Sequence, residues 1–372
     1  MPVLLQDIMP IDLLEKHIED GVVRKQVHPD YPDTLFILNY SEQAQFGRIW
    51  DQVTNKCRGL IVAGSCYCDA VVVARPFNKF HNINTTYVPE TMEENLPKDV
   101  PPTVTQKLDG SMGVLYKWDH QTWVATRGSF QSEQARWATA WMRAHEAKHG
   151  YSVWLDEYTP VFEIIYADNR IVVDYDFEGL VLLSLINKAT GREMDRALVE
   201  SMATFNRINV VKLFDKSLSE CAAENTLNEE GYVLTYKNGV KVKVKFADYV
   251  RLHRVLTGLN PKGIWELLAK NQVESVELIL KDDKMPEAFK TWFSGWVGHL
   301  RETFRKLEEE SQAVFAGRPV EGTRKDNALY FQKTPHLCSM LFAMLDGKQY
   351  ADIIWDRLKP RADEKTFKKD GE

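Results

Sequence analysis

Lys107-Leu-Asp-Gly-Ser111, running directly into Met112-Gly-Val-Leu-Tyr116, is the stretch from which the rest of this 372-residue chain is best read. Asp-Gly is turn chemistry, and the apolar run after it has the composition of a strand. Lys107 therefore stands at the mouth of a strand, two residues ahead of a tight turn. A free lysine has a pKa near 10.4 and is protonated at neutral pH. It becomes a nucleophile when burial or neighbouring cations lower that value. The expectation is a Lys107 amine with a depressed pKa, used for attack. The bland alternative is a hairpin turn with a solvated lysine beside it.

Four other segments carry the residue types such a lysine needs. In Val240-Lys-Val-Lys-Val-Lys-Phe246, alternate side chains of a strand share a face, so Lys241, Lys243 and Lys245 point the same way. They form either a phosphate-binding stripe or the wet face of an amphipathic strand. Glu230-Gly-Tyr-Val-Leu234 puts a carboxylate at the start of a strand just before the lysines. Phe162-Glu163-Ile-Ile-Tyr166 sets an acid within an apolar strand, where burial without a partner is costly. Upstream, Cys57-Arg58-Gly59 and Arg75-Pro-Phe-Asn-Lys79-Phe-His81-Asn82 bring bases next to Gly and Pro turns, where they can clamp phosphates.

Outward from these motifs the pattern is α+β. Thr34–Asn39, Gly59–Val62, Ala70–Ala74 and Val104–Thr126 read as strands, with Asp119-His120-Gln121 as a hairpin tip. Strands are expected again at Val161–Tyr166, Ile171–Tyr175, Gly179–Ile186, Gly231–Tyr236 and Val240–Phe246. Helices are expected at Ser132–Lys148 and Asp195–Phe205. After Tyr249 helical periodicity dominates: Ile264–Asn271, Val273–Leu280, Pro286–Ala316, Thr334–Leu345 and Tyr350–Leu358. The charged tail from Lys359 is expected to fray. The expected division is residues 1–250, strand-rich, and residues 251–372, all-helical. Aromatic residues at helical spacing in the second part (Trp265, Phe289, Trp292, Phe293, Trp296, Phe304) read as a packing core rather than a stacking platform.

Composition is that of a soluble globular protein, 44% hydrophobic and 27% charged, with a net charge of -6. That charge argues against coating nucleic acid by bulk electrostatics but leaves room for a local basic groove. No run approaches the length of a membrane span, and the N-terminus lacks a basic, secretory-type leader. The five cysteines share no zinc-like spacing with histidines and read as reduced thiols in a cytoplasmic protein. His145 and His149 make an i, i+4 pair with no third metal ligand evident.

The ordered series Lys107-x-Asp-Gly-Ser, Thr126-Arg-Gly-Ser129, Phe162-Glu163, Glu230-Gly-Tyr and Lys243-Val-Lys245 resembles the covalent nucleotidyltransferases, the ATP-dependent polynucleotide ligases and RNA capping enzymes. Within them the chain is most similar to the phage-type RNA ligase 1 family. The resemblance implies a nucleotidyltransferase domain of antiparallel sheets with flanking helices, followed by a helical domain linked to RNA or tRNA preference. It implies that Lys107 attacks the α-phosphate of ATP, giving lysyl-AMP, and that Glu163 holds the ribose. Glu230 would bind a divalent metal, Mg²⁺ or Mn²⁺, and Lys243 and Lys245 would contact the α-phosphate. Arg58 and Lys79 would steady the triphosphate tail or an RNA 5′-phosphate, while Asp109 and Gly110 shape the turn beside the nucleophile. Arg127, where phage enzymes commonly carry lysine, and His81, where a second aromatic often stands, would face RNA.

The activity so implied is ATP-dependent joining of RNA 3′-OH and 5′-phosphate ends. Cleaved tRNA is the leading substrate, an end-healing kinase-phosphatase a functional partner, and the cytoplasm (of an infected host, if phage-encoded) the location. A DNA ligase or a capping guanylyltransferase is the nearest competitor, disfavoured by the helical texture after Tyr249. The rival from another class is an RNA-binding protein using the same fold without catalysis. Pure binding needs neither Glu163 nor Glu230.

Overall fold

The structure, a computed structural model, describes residues 2–150, 152–282, 285 and 287–361. Among these the chain is α+β, strand-rich up to Lys245 and helical from Ala247 onward. It divides into two compact units, one up to Val250 and one from Arg251.

In the first unit, β1 (Val23–Val27), β2 (Leu35–Tyr40), β3 (Arg58–Ala63) and β4 (Val71–Ala74) form an antiparallel sheet in that order. One face buries Phe36, Leu38, Leu60 and Val62 with Leu14 of the helix Ile11–Glu19. The other face, Leu35, Ile37, Ile61 and Ala74, packs with Val114, Tyr116 and Ala125. Covering both faces explains why β2 and β3 read as continuous apolar runs rather than alternating ones.

Ten further strands follow: β5 (His81–Asn82), β6 (Thr103–Lys107), β7 (Ser111–Trp118), β8 (Gln121–Ala125), β9 (Tyr158–Ile165), β10 (Gly179–Asn187), β11 (Asn209–Val210), β12 (Leu213–Phe214), β13 (Gly231–Thr235) and β14 (Lys241–Lys245). They make two sheets, ordered β11-β10-β9-β7-β8 and β12-β6-β13-β14-β5. The first of these buries Leu115, Phe162, Ile164 and Leu182 against Met142 of the helix Glu133–His149 and Val199 of the helix Arg196–Phe205. Each large apolar side chain so buried contributes about 1.5–3 kcal/mol. Both helices start where a short polar side chain caps them. Ser132 Oγ accepts from the Ala135 N–H at 3.2 Å, and Asp195 Oδ1 from the Ala197 N–H at 3.0 Å. The hairpin between β7 and β8 turns on Asp119 and His120, both at positive φ (49° and 59°), as two-residue hairpin loops require.

Two expectations are corrected. Ile171–Tyr175 forms no strand: the N–H groups of Val172 and Val173 donate to Asp109 Oδ2 at 2.8 and 2.9 Å instead of to a neighbouring chain. The cysteines are not all free thiols: Cys66 and Cys68, brought together in the turn between β3 and β4, are disulfide-bonded. Cys57, Cys221 and Cys338 are free.

In the second unit, the helices Glu287–Ala316, Arg324–Phe331, Cys338–Leu345 and Ala351–Arg357 share a core of Phe331, Leu337, Met340, Leu341 and Ile354, and the helices Pro261–Ala269 and Val273–Lys281 pack on Glu287–Ala316. Phe289 and Phe293 are fully buried, Phe304 stacks on Trp355 with centroids 4.7 Å apart, and Trp265 Nε1 donates to the Trp355 carbonyl at 2.7 Å. No described helix is long and apolar enough to cross a membrane. Pro286 and the tail from residue 362 lie outside the described residues.

One register position governs the site. Gly231 pairs with Lys107 on β6 and with Lys245 on β14, so the two lysines flank a residue without a side chain. Gly231 sits at φ +142°, and a Cβ there would lie 2.0 Å from the Val244 carbonyl oxygen. Gly231→Ala is expected to lower stability by about 3 kcal/mol through strain and overpacking. Thermal unfolding measures it, and a variant as stable as wild type contradicts this register.

Candidate active site

Lys107 and Lys245 meet over the carboxylate that precedes Gly231. Glu230 Oε2 lies 2.6 Å from Lys107 Nζ, and Oε1 lies 2.9 Å from Lys245 Nζ. The Glu230 carboxylate is 3% exposed, the Lys107 side chain 20%. Burial pulls the Glu230 carboxyl upward, but the two ammonium groups outweigh it and hold it below the usual range. For Lys107, burial favours the neutral amine, but Glu230, Glu163 and Asp109 together hold it above the ordinary lysine value. The expected depressed pKa is therefore reversed in the free protein: Lys107 rests as an ammonium ion.

Glu163 stands on β9, opposite Met112 on β7. Its Oε1 accepts from the Gly110 N–H at 2.9 Å. Burial, with Glu230 and Asp109 nearby, pushes its pKa up to about 8 despite the attraction of Lys107. At neutral pH it is a protonated carboxyl, able to donate to a hydroxyl or carbonyl as well as accept. Gly110 is needed at this turn because a Cβ would lie 2.5 Å from the Ile164 carbonyl oxygen. Asp109 is 3% exposed. Besides Val172 and Val173 it accepts from Tyr249 Oη at 2.7 Å, and its own N–H donates to Tyr175 Oη at 2.7 Å. Asp109 therefore fixes the nucleophile's turn to two distant segments.

Lys243, opposite Val233 on β13, has no ion-pair partner among the described residues. Burial, followed by Lys107, Arg58, Lys79 and Lys245, pushes its amine well below the ordinary lysine value. Its Nζ lies 5.1 Å from the Phe80 ring centroid, and the Arg58 guanidinium 5.5 Å from the same centroid. Arg58 also reaches Met112 Sδ at 2.9 Å. Lys79 and Arg127 gather at a residue the motifs did not single out, Tyr40. Arg127 Nη1 donates to Tyr40 Oη at 2.7 Å and Lys79 Nζ at 3.2 Å. Burial pulls the Tyr40 phenol upward, but Arg127, Arg58 and Lys79 outweigh it and lower its pKa. Among the described residues no carboxylate forms an ion pair with these cations, so the region is short of negative charge.

The site opens into a cavity of about 650 Å³, within the usual range for small-molecule sites, lined by Lys107, Gly110, Glu163, Lys243 and Arg58. Glu230, Lys245 and Asp109 stand just behind that lining. His81 is set apart: 8% exposed, it packs edge-on to Trp50 and Tyr87, and burial, Lys79 and Lys243 push its pKa down to about 4. Arg75 turns inward, its Nη1 donating to the carbonyls of Lys188 and Ala189. Tyr40, Tyr175 and Tyr249 could not be picked from the sequence, because their hydroxyls reach the site only across sheets and segments far apart in the chain.

The raised Glu163 pKa has a measurable consequence. Between the ordinary carboxylate value and about 8, the folded protein holds a proton that the unfolded chain has lost, so stability falls as pH rises through that window. Glu163→Gln cannot ionise and escapes this fall. Its Tm relative to wild type should climb between about pH 5 and about pH 9. A Tm difference that stays constant with pH contradicts the assignment.

A family model described as RNA ligase matches residues 56–249, just over half of the chain and all of the strands that build the site from β3 to β14. The RNA ligase of Rhodothermus phage RM378 is 22% identical, with the alignment covering 85% of this chain and 86% of that protein. An archaeal ATP-dependent RNA ligase superposes with a TM-score of 0.45 at 14% identity, over 92% of this chain and 97% of that one. An RNA ligase of Naegleria gruberi gives 0.39 at 17%, over 48% and 58%. The family match falls on the segments that bring Lys107, Glu163, Glu230, Lys243 and Lys245 together: the chain belongs to the phage-type RNA ligase 1 family.

Proposed function

We propose that this protein is an ATP-dependent RNA ligase that works through lysyl-AMP and RNA-adenylate intermediates. The observation that carries this reading is the row Lys107–Glu230–Lys245 beside the unpaired cation Lys243. In the first step, the Lys107 amine attacks the α-phosphorus of ATP, forming a P–N bond as the bond to pyrophosphate breaks. The amine must first lose its proton. A divalent cation held by Glu230 would neutralise the carboxylate that keeps Lys107 charged. Burial and the neighbouring cations then favour the neutral amine. Lys243 and Lys245 neutralise charge on the phosphate oxygens in transfer, and protonated Glu163 holds a ribose hydroxyl.

In the second step the AMP passes from Lys107 to an RNA 5′-phosphate. In the third an RNA 3′-hydroxyl displaces AMP. Arg58, Lys79 and Arg127, gathered near Tyr40, suit a triphosphate tail and later the RNA 5′-phosphate. His81, packed edge-on between aromatic rings, would face RNA.

A hard divalent cation, Mg²⁺ or Mn²⁺, takes oxygen ligands, and the Glu230 carboxylate is the donor that would hold it here. When bound it would neutralise phosphate charge as a Lewis acid. Residues 251–372 form a domain that selects the RNA, with cleaved tRNA the leading substrate. Breaks that leave other end chemistries would need a kinase-phosphatase beforehand.

Incubation with α-labelled ATP and a divalent metal, followed by a denaturing gel, tests the first step. Wild type is expected to carry label and Lys107→Ala none. Label from GTP instead points to capping chemistry. No label from either nucleotide, on protein stripped of bound AMP, favours a binding module.

A further inference from the structure

The third lysine of β14 takes no part in the chemistry above. Lys241 Nζ lies 2.5 Å from Glu193 Oε1 and 4.2 Å from the centroid of the Phe77 ring. Lys241, Glu193 and Phe77 line the nucleotide cavity on one side. On the other side they line a second cavity, of about 550 Å³. The two cavities thus share a wall, in which this ion pair and ring are joined by Phe80, Thr235, Tyr236 and Lys237.

The second cavity has the chemistry of a single-stranded RNA site. Lys79, Arg192, Lys237 and Lys241 line it against only two acids, Glu90 and Glu193. Phe77 and Phe80 add ring faces. A cationic groove with aromatic faces holds single strands by backbone charge and base stacking. One rim is rigid before any ligand arrives. The turn after β10 closes through the Arg192 carbonyl, which accepts from the Asn187 N–H at 2.9 Å, and is clamped from below by Arg75.

We propose that this second cavity is the acceptor-strand subsite, taking the 3′-terminal nucleotides of the RNA whose hydroxyl attacks. The proposal rests on the RNA-sealing reading above. Two RNA ends must reach one phosphorus. The nucleotide cavity, with Lys107, Lys243 and Arg58, takes the adenylate and the 5′-phosphate. The wall it shares with the second cavity includes the Lys241–Glu193 ion pair, at which a phosphodiester of the acceptor competes with Glu193 for Lys241. In the sealing step the acceptor 3′-oxygen bonds to the RNA 5′-phosphorus, the bond to AMP breaks, AMP leaves and the hydroxyl proton passes to solvent.

The charge-reversing variant Arg192→Glu tests it. Arg192 lines the second cavity and not the nucleotide cavity, and its side chain is exposed with no ion-pair partner among the described residues, so the fold does not depend on it. Label transfer from ATP to the protein, and AMP transfer to 5′-phosphorylated RNA, should match wild type. In sealing of a synthetic pre-adenylated RNA to an acceptor oligonucleotide, the KM for the acceptor should rise about tenfold with kcat little changed. An unchanged acceptor KM in a wild-type background that seals, or equal weakening of all three steps, overturns the subsite alone. A wild-type protein that neither takes label nor seals overturns the ligase reading and the subsite with it.

Discussion

The site is organised around one buried carboxylate that serves two lysines. Glu230, 3% exposed, is 2.6 Å from Lys107 Nζ and 2.9 Å from Lys245 Nζ. A charge so buried persists only where it is paired, and removing one partner of such a pair costs about 3–5 kcal/mol. The pairing requires β6, β13 and β14 to be in register at Lys107, Gly231 and Lys245, and it requires a glycine in the middle row. Asp109 then ties the same turn to Val172, Val173 and Tyr249. The resting protein is thus locked with its nucleophile protonated.

That lock has a functional sense. A permanently neutral Lys107 would be reactive in the absence of substrate. With Glu230 holding it as ammonium, the amine is released only when that carboxylate is taken up by another cation. Around it the cations fall into three environments. Lys107 and Lys245 share a carboxylate, Lys241 has its own in Glu193, and Lys243, Arg58, Lys79 and Arg127 lie against aromatic rings with no acid paired to them. The last group is where a polyphosphate finds unsatisfied positive charge.

Much of this was legible in residue order. The alternation Lys241-Val-Lys-Val-Lys245 placed three amines on one face, the apolar flanks of Glu163 foretold its perturbed carboxyl, and Ser132 and Asp195 marked two helix starts. What escaped notice depended on contacts between distant segments. Ile171–Tyr175 has strand composition, but its N–H groups are taken by the Asp109 side chain. β1 buries only its first residue and shows no alternation to read. The direction of the Lys107 shift was missed because neighbouring lysines are visible in the sequence, whereas the distances to Glu230 and Glu163 are not. Tyr40 became the meeting point of three cations only once β2, β3 and the turn after β8 were assembled.

The most direct measurement is the titration of the Lys107 amine by NMR in protein with nitrogen-labelled lysine, using Lys107→Arg for assignment. It is made with the protein free and then bound, with Mg²⁺, to α,β-methylene ATP, which cannot complete the transfer. The prediction is a pKa above the ordinary lysine value in the free protein, falling when nucleotide and metal bind. A depressed pKa in the free protein, or none of that fall on binding, would contradict the role given to Glu230.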